Sequence, residues 1–221
     1  VLDMRVVVGK ALTATPVFSD QMTQVVFNPT WSVPKSIARG EMATAVQKDP
    51  EYLAKHHIRI FDHDAEGAKE VDASSVNWSD TVAVGRLHLR QDEGDDNALG
   101  RIKFLLPNQF DVYLHDTPAG QLFASEDRSF SHGCVRVEDP VKLAEYVLRG
   151  TSAGSAEQIQ RLIDAGTTTA VAVPTPLPVH IVYFTAFVDT DGNVGFRKDV
   201  YGIDADETRQ LHSRSQALAR R

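Results

Sequence analysis

The sequence predicts a mainly β body with a few helices, an α+β fold carrying a partly helical insertion over residues 35–80. Three observations carry that expectation. Short β-branched and aromatic runs broken by turn residues dominate both ends of the chain. Helix start and stop signals are few and mostly follow the centre. The regular strand–helix alternation of a doubly wound sheet is missing. With 221 residues, 42% hydrophobic and 24% charged, the chain has the size and composition of one large soluble domain spanning 1–221.

The elements follow in order. Met4 to Val8 and Gln24 to Phe27 read as strands, the second stopped by Asn28-Pro29. The chain opens with Val1 close to a strand pattern, as a trimmed chain would, so the lack of a leader says nothing about location. Ile37 to Val46 is mostly helix-forming, weakened at Gly40, and Asp49-Pro50-Glu51 starts a short helix ending near His56. Residues 62–80 are polar, with few anchors beyond Val71, Val76 and Trp78, and the insertion over 35–80 is too long for an ordinary loop and too sparse in apolar side chains for a separate core. Ile102 to Leu106 and Phe110 to Leu114 look like strands joined through Pro107-Asn108. Asp139 starts a helix over Pro140 to Leu148, closed by Gly150, and Ser155 caps another that stops at Gly166. Strands are expected at Thr169 to Val173, at Val179 to Val188 as a buried run, and at Val194 to Phe196 beyond the turn Asp189 to Asn193.

Composition excludes several functions. A net charge of −7 argues against general nucleic-acid binding, which needs clustered Lys and Arg. The basic tail of Arg209, Arg214, Arg220 and Arg221 reads as a solvated terminal helix. No apolar run approaches the roughly 18 to 20 residues that span a bilayer. The single cysteine, Cys134, can form neither an intrachain disulfide nor a Cys-rich zinc site. It is an inert core residue or a reactive one, and its neighbours decide.

Those neighbours carry chemistry. Val112 to Pro118 contains His115, 19 residues before Cys134, at the end of a strand-like run where a side chain is held rigidly. A thiol is nucleophilic only as thiolate, and a nearby imidazole can take its proton. His115 is therefore the expected base, with His132 near enough to bond the loop instead. Gly133 permits unusual backbone angles, and the Gly133 and Cys134 amides are candidate donors to an oxyanion. Asp116 would orient His115 through its backbone carbonyl rather than its carboxylate, since adjacent side chains on a strand diverge. Arg136 has the planar fork that meets a carboxylate. Blander readings stand beside these. A lone cysteine is usually a small buried hydrophobe. Zinc could take His115, His132 and Cys134, although no fourth ligand is evident. His56, His57, Asp62, His63 and Asp64 read as solvated surface before a metal cluster. Asp189 to Asn193 resembles a calcium loop, but Val200 stands where a bidentate Glu belongs, so a hairpin turn is expected. Trp31 and Trp78 are core residues by default, groove walls by alternative.

Ser131-His132-Gly133-Cys134-Val135-Arg136, preceded by His115, resembles the signature of the L,D-transpeptidase (YkuD-type) catalytic domain. Phe27 to Pro34, Asn97 to Arg101, Tyr113 to Pro118, Ser131 to Pro140 and Tyr183 to Ala186 extend the likeness to the large periplasmic Gram-negative branch. The resemblance implies a β-sandwich with the cysteine at a sheet edge and residues 35–80 as its capping subdomain. It implies Cys134 as nucleophile, His115 as base, and Arg136, Ser131 and Tyr113 as substrate contacts. The implied donor is a peptidoglycan tetrapeptide stem, attacked at its third residue, normally diaminopimelate, with release of D-alanine. The thioester then passes to an amine of another stem. Acylation by carbapenems, a periplasmic location and no cofactor are further implications. Related domains attach lipoproteins or hydrolyse the same acyl-enzyme. A non-catalytic wall-binding protein is the alternative from another class.

Overall fold

A computed structural model describes residues 2–219, with side-chain surroundings through Leu211. Its strands are β1 (Val6–Gly9), β2 (Phe18–Phe27), β3 (Trp31–Ser32), β4 (Ile58–Phe61), β5 (His88–Gln91), β6 (Ile102–Leu105), β7 (Leu114–His115), β8 (Ser129–Ser131), β9 (Val135–Val137), β10 (Thr169–Ile181), β11 (Ala186–Val188) and β12 (Val194–Phe196). The fold is mixed α+β, with several sheets and few helices. Seven strands form one mixed sheet in the order β10-β2-β6-β7-β9-β1-β8. β1 joins its two parts: Val6 and Val7 pair with β9, and Val8 and Gly9 pair with β8, with a register shift between Val8 and Gly9.

Alternation along the strands builds the main core. Val25, Phe27, Ile102, Phe104 and Val137 are buried on one face, where Ala144, Val147, Leu148 and Ile159 meet them from two helices, Pro140–Leu148 and Ala156–Asp164. Both helices start as their residues dictate. The Asp139 carboxylate accepts from the Lys142 amide, and the Ser155 hydroxyl accepts from Gln158.

The insert has more structure than its composition suggests. β3, β5 and β4 form a second sheet, and Val33, Ile37, Met42, Val46, Leu53, Ile58, Ile60, Trp78, Val84 and Leu89 close a separate core. The expectation of no separate core fails because its apolar side chains come from segments far apart in sequence. Of these, Trp78 alone lies within the polar stretch 62–80, and Val33, Val84 and Leu89 come from outside 35–80. Trp78 is core, its indole N–H donating to the Ala73 carbonyl. The helix around Gly40 is continuous but widens into a π stretch at Ala38–Met42.

Three strand expectations are corrected. Phe110 to Leu114 is not a strand: Asp111 has φ 53°, and the Asn108 side chain organises the loop by bonding Leu106, Phe110 and Val112 backbone atoms. Thr169 to Ile181 is one strand with a register shift between Ala172 and Leu177, its prolines tolerated because β10 lies at the sheet edge. The run expected to be buried over Val179 to Val188 is largely exposed, Phe184 at 68% and Val188 at 66%, because it leaves the sheet after Ile181. β11 and β12 form the expected hairpin, with the Asp189 carboxylate accepting from its own turn's amides. A terminal helix covers Ile203–Ala219, where Arg209 pairs with Asp206. The Arg214 side chain, Arg220 and Arg221 lie outside the described residues.

Candidate active site

Strand register lays out the site. β7 runs parallel to β9, with Leu114 beside Val135 and His115 beside Arg136, and antiparallel to β6, with Lys103 beside His115. Side chains alternate across a strand, so Leu114 and Val137 pack towards the main core. Lys103, His115 and Arg136 take the opposite face, with Tyr113 and Cys134 two positions back. All five line one groove of about 840 Å³, together with Trp31 of β3 and Glu41 of the insert.

His115 is buried, 4% exposed. Its Nδ1 lies 2.5 Å from the Asp116 carbonyl oxygen, an acceptor only, so Nδ1 carries the proton and Nε2 is left as the basic nitrogen. Burial pushes its pKa down to about 3, assisted by the Arg136 and Lys103 charges and opposed by that hydrogen bond. The Cys134 thiol moves the other way: burial raises its pKa, while the Tyr113 backbone amide, the Tyr113 hydroxyl and the Lys103 charge oppose the rise. At neutral pH both groups are uncharged in the resting protein. Sγ lies 3.8 Å from the Asp111 carbonyl oxygen and contacts the Tyr113 hydroxyl, which also meets Trp31. Burial disfavours both a thiolate and an imidazolium here.

The cysteine loop is held from within. The Ser131 hydroxyl donates to the Cys134 carbonyl at 2.6 Å and accepts the Gly133 amide at 3.1 Å. Thr15 donates to the Gly133 carbonyl, and Tyr201, from the C-terminal segment, meets Thr15 and Gly9 beneath it. Gly133 has φ 121°, a conformation that L side chains avoid.

Two comparisons bear on this site. Residues 1–171 match YkuD, the L,D-transpeptidase catalytic domain. A Haemophilus influenzae protein named "Putative L,D-transpeptidase" is 34% identical over 205 residues, 92% of this chain. The chain spans 40% of the length of that relative. It belongs to the YkuD family of L,D-transpeptidase catalytic domains.

Within this YkuD domain, several expected residues take different duties. Ser131, at the groove wall, is 2% exposed, and both hydrogen bonds of its hydroxyl stay inside the loop, so its hydroxyl shapes the loop. The Gly133 amide is engaged by Ser131. His132 is turned to the insert, its Nε2 3.0 Å from Glu41 Oε1, and Glu41 is also 3.8 Å from Lys10. The alternative zinc set is not gathered into a metal cluster among the described residues: His115 Nδ1 bonds Asp116, and His132 bonds Glu41. In the second histidine cluster, His57 pairs with Asp96 and His56 packs on Tyr52.

Asp116 divides its backbone and side chain as expected from strand geometry. Its carbonyl holds His115, while its carboxylate accepts the Arg101 amide at 2.8 Å and the Thr117 amide at 2.7 Å. Gly100, with φ +60°, makes room for that carboxylate; a Cβ there would collide with it. Gly100→Ala should therefore lower stability by roughly 1–3 kcal/mol, from backbone strain and a displaced buried acceptor. Thermal unfolding checks this, and an unchanged midpoint would show that the carboxylate has room to move.

Sequence reasoning missed Lys103, Glu41 and Tyr201. Lys103 carried a usable signal, a cation between the apolar Ile102 and Phe104 in a predicted strand. Glu41 and Tyr201 carried none, since their partners lie 91 and 186 or more residues away.

Proposed function

We propose that this chain is a periplasmic peptidoglycan L,D-transpeptidase acting through a Cys134 acyl-enzyme. The observation that carries this reading is the β7–β9 register, which sets His115 and Cys134 on one face of one groove. The donor is a tetrapeptide stem and the attacked carbonyl belongs to its third residue, diaminopimelate. As Sγ approaches that carbon, the thiol proton moves to His115 Nε2 and an S–C bond forms. The Cys134 amide meets the oxyanion, a contact of a kind worth about 3–4 kcal/mol in the barrier. His115 then returns the proton to the departing nitrogen, the C–N bond breaks, and D-alanine leaves. An acceptor amine attacks the thioester, its proton passes to His115, and the sulfur departs and is reprotonated. Proton transfer coupled to attack suits two groups that are neutral at rest. The Asp116 carbonyl keeps the useful tautomer throughout. The insert, joined to the cysteine loop through Glu41 and His132, caps the groove and shields the thioester from water.

Incubation with purified tetrapeptide muropeptides tests the reading. Cross-linked dimers with released D-alanine are expected. Tripeptides alone would make the protein a hydrolase. An untouched substrate would leave a wall-binding protein.

A further inference from the structure

Lys103, His115 and Arg136 form a row across three neighbouring strands, each about 4.8 Å from the next. The outer two are cations in a partly desolvated groove, and among the described residues neither forms an ion pair. Arg136 Nε is buried without a hydrogen-bond partner, an arrangement that natural interiors rarely leave unfilled. Lys103 Nζ rests 3.9 Å from the centre of the Tyr113 ring, which holds the ammonium over the residue touching Sγ. Asp111 lines the same groove and acts on the Lys103 charge without pairing to it.

We propose that Lys103 is a specificity-determining residue that binds the carboxylate at the far end of the donor's third side chain. This rests on the transpeptidase reading and names the part of the donor that reaches beyond the attacked carbonyl. Arg136 stands two residues from Cys134 and is placed for the carboxylate of the leaving D-amino acid, close to the scissile bond. Lys103, two strands from Arg136, is placed for a second carboxylate at the end of an extended side chain. Diaminopimelate ends in an ammonium beside that carboxylate, and Asp111 supplies the opposite charge for it. A docked carboxylate would also offset one of the two cations that disfavour a proton on His115, so the correct donor improves the base that must act on it.

The test compares two tetrapeptide donors, one with the side-chain carboxylate free and one with it amidated. The wild-type protein should favour the free acid in kcat/KM by about tenfold to a hundredfold, the range for a charge-assisted hydrogen bond. Lys103→Met should shrink that ratio to a few-fold, and Lys103→Arg should restore most of it. A structural role alone would slow both donors equally and leave the ratio intact, which overturns the proposal. So does a wild-type protein that consumes both donors at the same rate. If the wild-type protein consumes neither donor, the transpeptidase reading itself fails, and the specificity site with it.

Discussion

Replacing Cys134 with alanine should abolish donor turnover, by about 10⁵-fold or to the detection limit, without unfolding the domain. The magnitude follows from what remains: an amide donor and a binding groove still act, but no atom is left to form the acyl bond. Intact-mass measurement after addition of a carbapenem gives the sharper readout. The wild-type protein should gain one adduct and Cys134→Ala none. Structural cost is small because Cys134 is half-buried at a groove wall and belongs to neither core cluster. An adduct on the alanine variant would move the nucleophile elsewhere and dismantle the proposed chemistry.

His115→Gln should slow acylation by about 10²- to 10⁴-fold, the usual worth of a positioned base, while leaving the sulfur chemically available. The pH dependence separates this site from an ordinary exposed imidazole. Because the His115 pKa lies at about 3, the acylation rate should stay level as pH falls from 7 towards 5. A fall centred near 6.5 would place the imidazole in water. Stability should follow the same group. Its folded pKa is depressed below the unfolded value, so between about 3 and 6.5 the unfolded chain binds more protons. His115 therefore contributes stability that is complete above 6.5 and is lost as pH falls towards 3. Denaturant midpoints across that window should move less in His115→Gln than in wild type. Cys134 has the opposite sign: its raised pKa removes stability above the ordinary thiol range near 9.

Much of the site was legible in residue order because its critical parts are local. Ser131 to Arg136 lies in one turn and the start of one strand, and His115 lies at the edge of the neighbouring strand. The Asp116 carbonyl contact could be anticipated from strand alternation alone. Helix starts at Asp139 and Ser155 were legible for the same reason, since a cap is a contact across three residues. The loop over Phe110 to Leu114 was misread because apolar alternation outweighed the Asn108 side chain, whose four local hydrogen bonds break the strand. Val179 to Val188 was misread because hydrophobicity does not reveal whether another layer covers it.

By itself the sequence determined the available chemistry: one thiol, an imidazole ahead of it, a glycine that frees the turn between them, and the α+β character of the body. The tertiary structure decided which ionisable groups share a face, that the resting pair is uncharged, that His132 and Ser131 serve the loop and insert, and that Lys103 joins the groove. The physical reason is that protonation and partner choice depend on burial and on strand pairing between distant segments. Neither quantity is a property of a residue's neighbours along the chain.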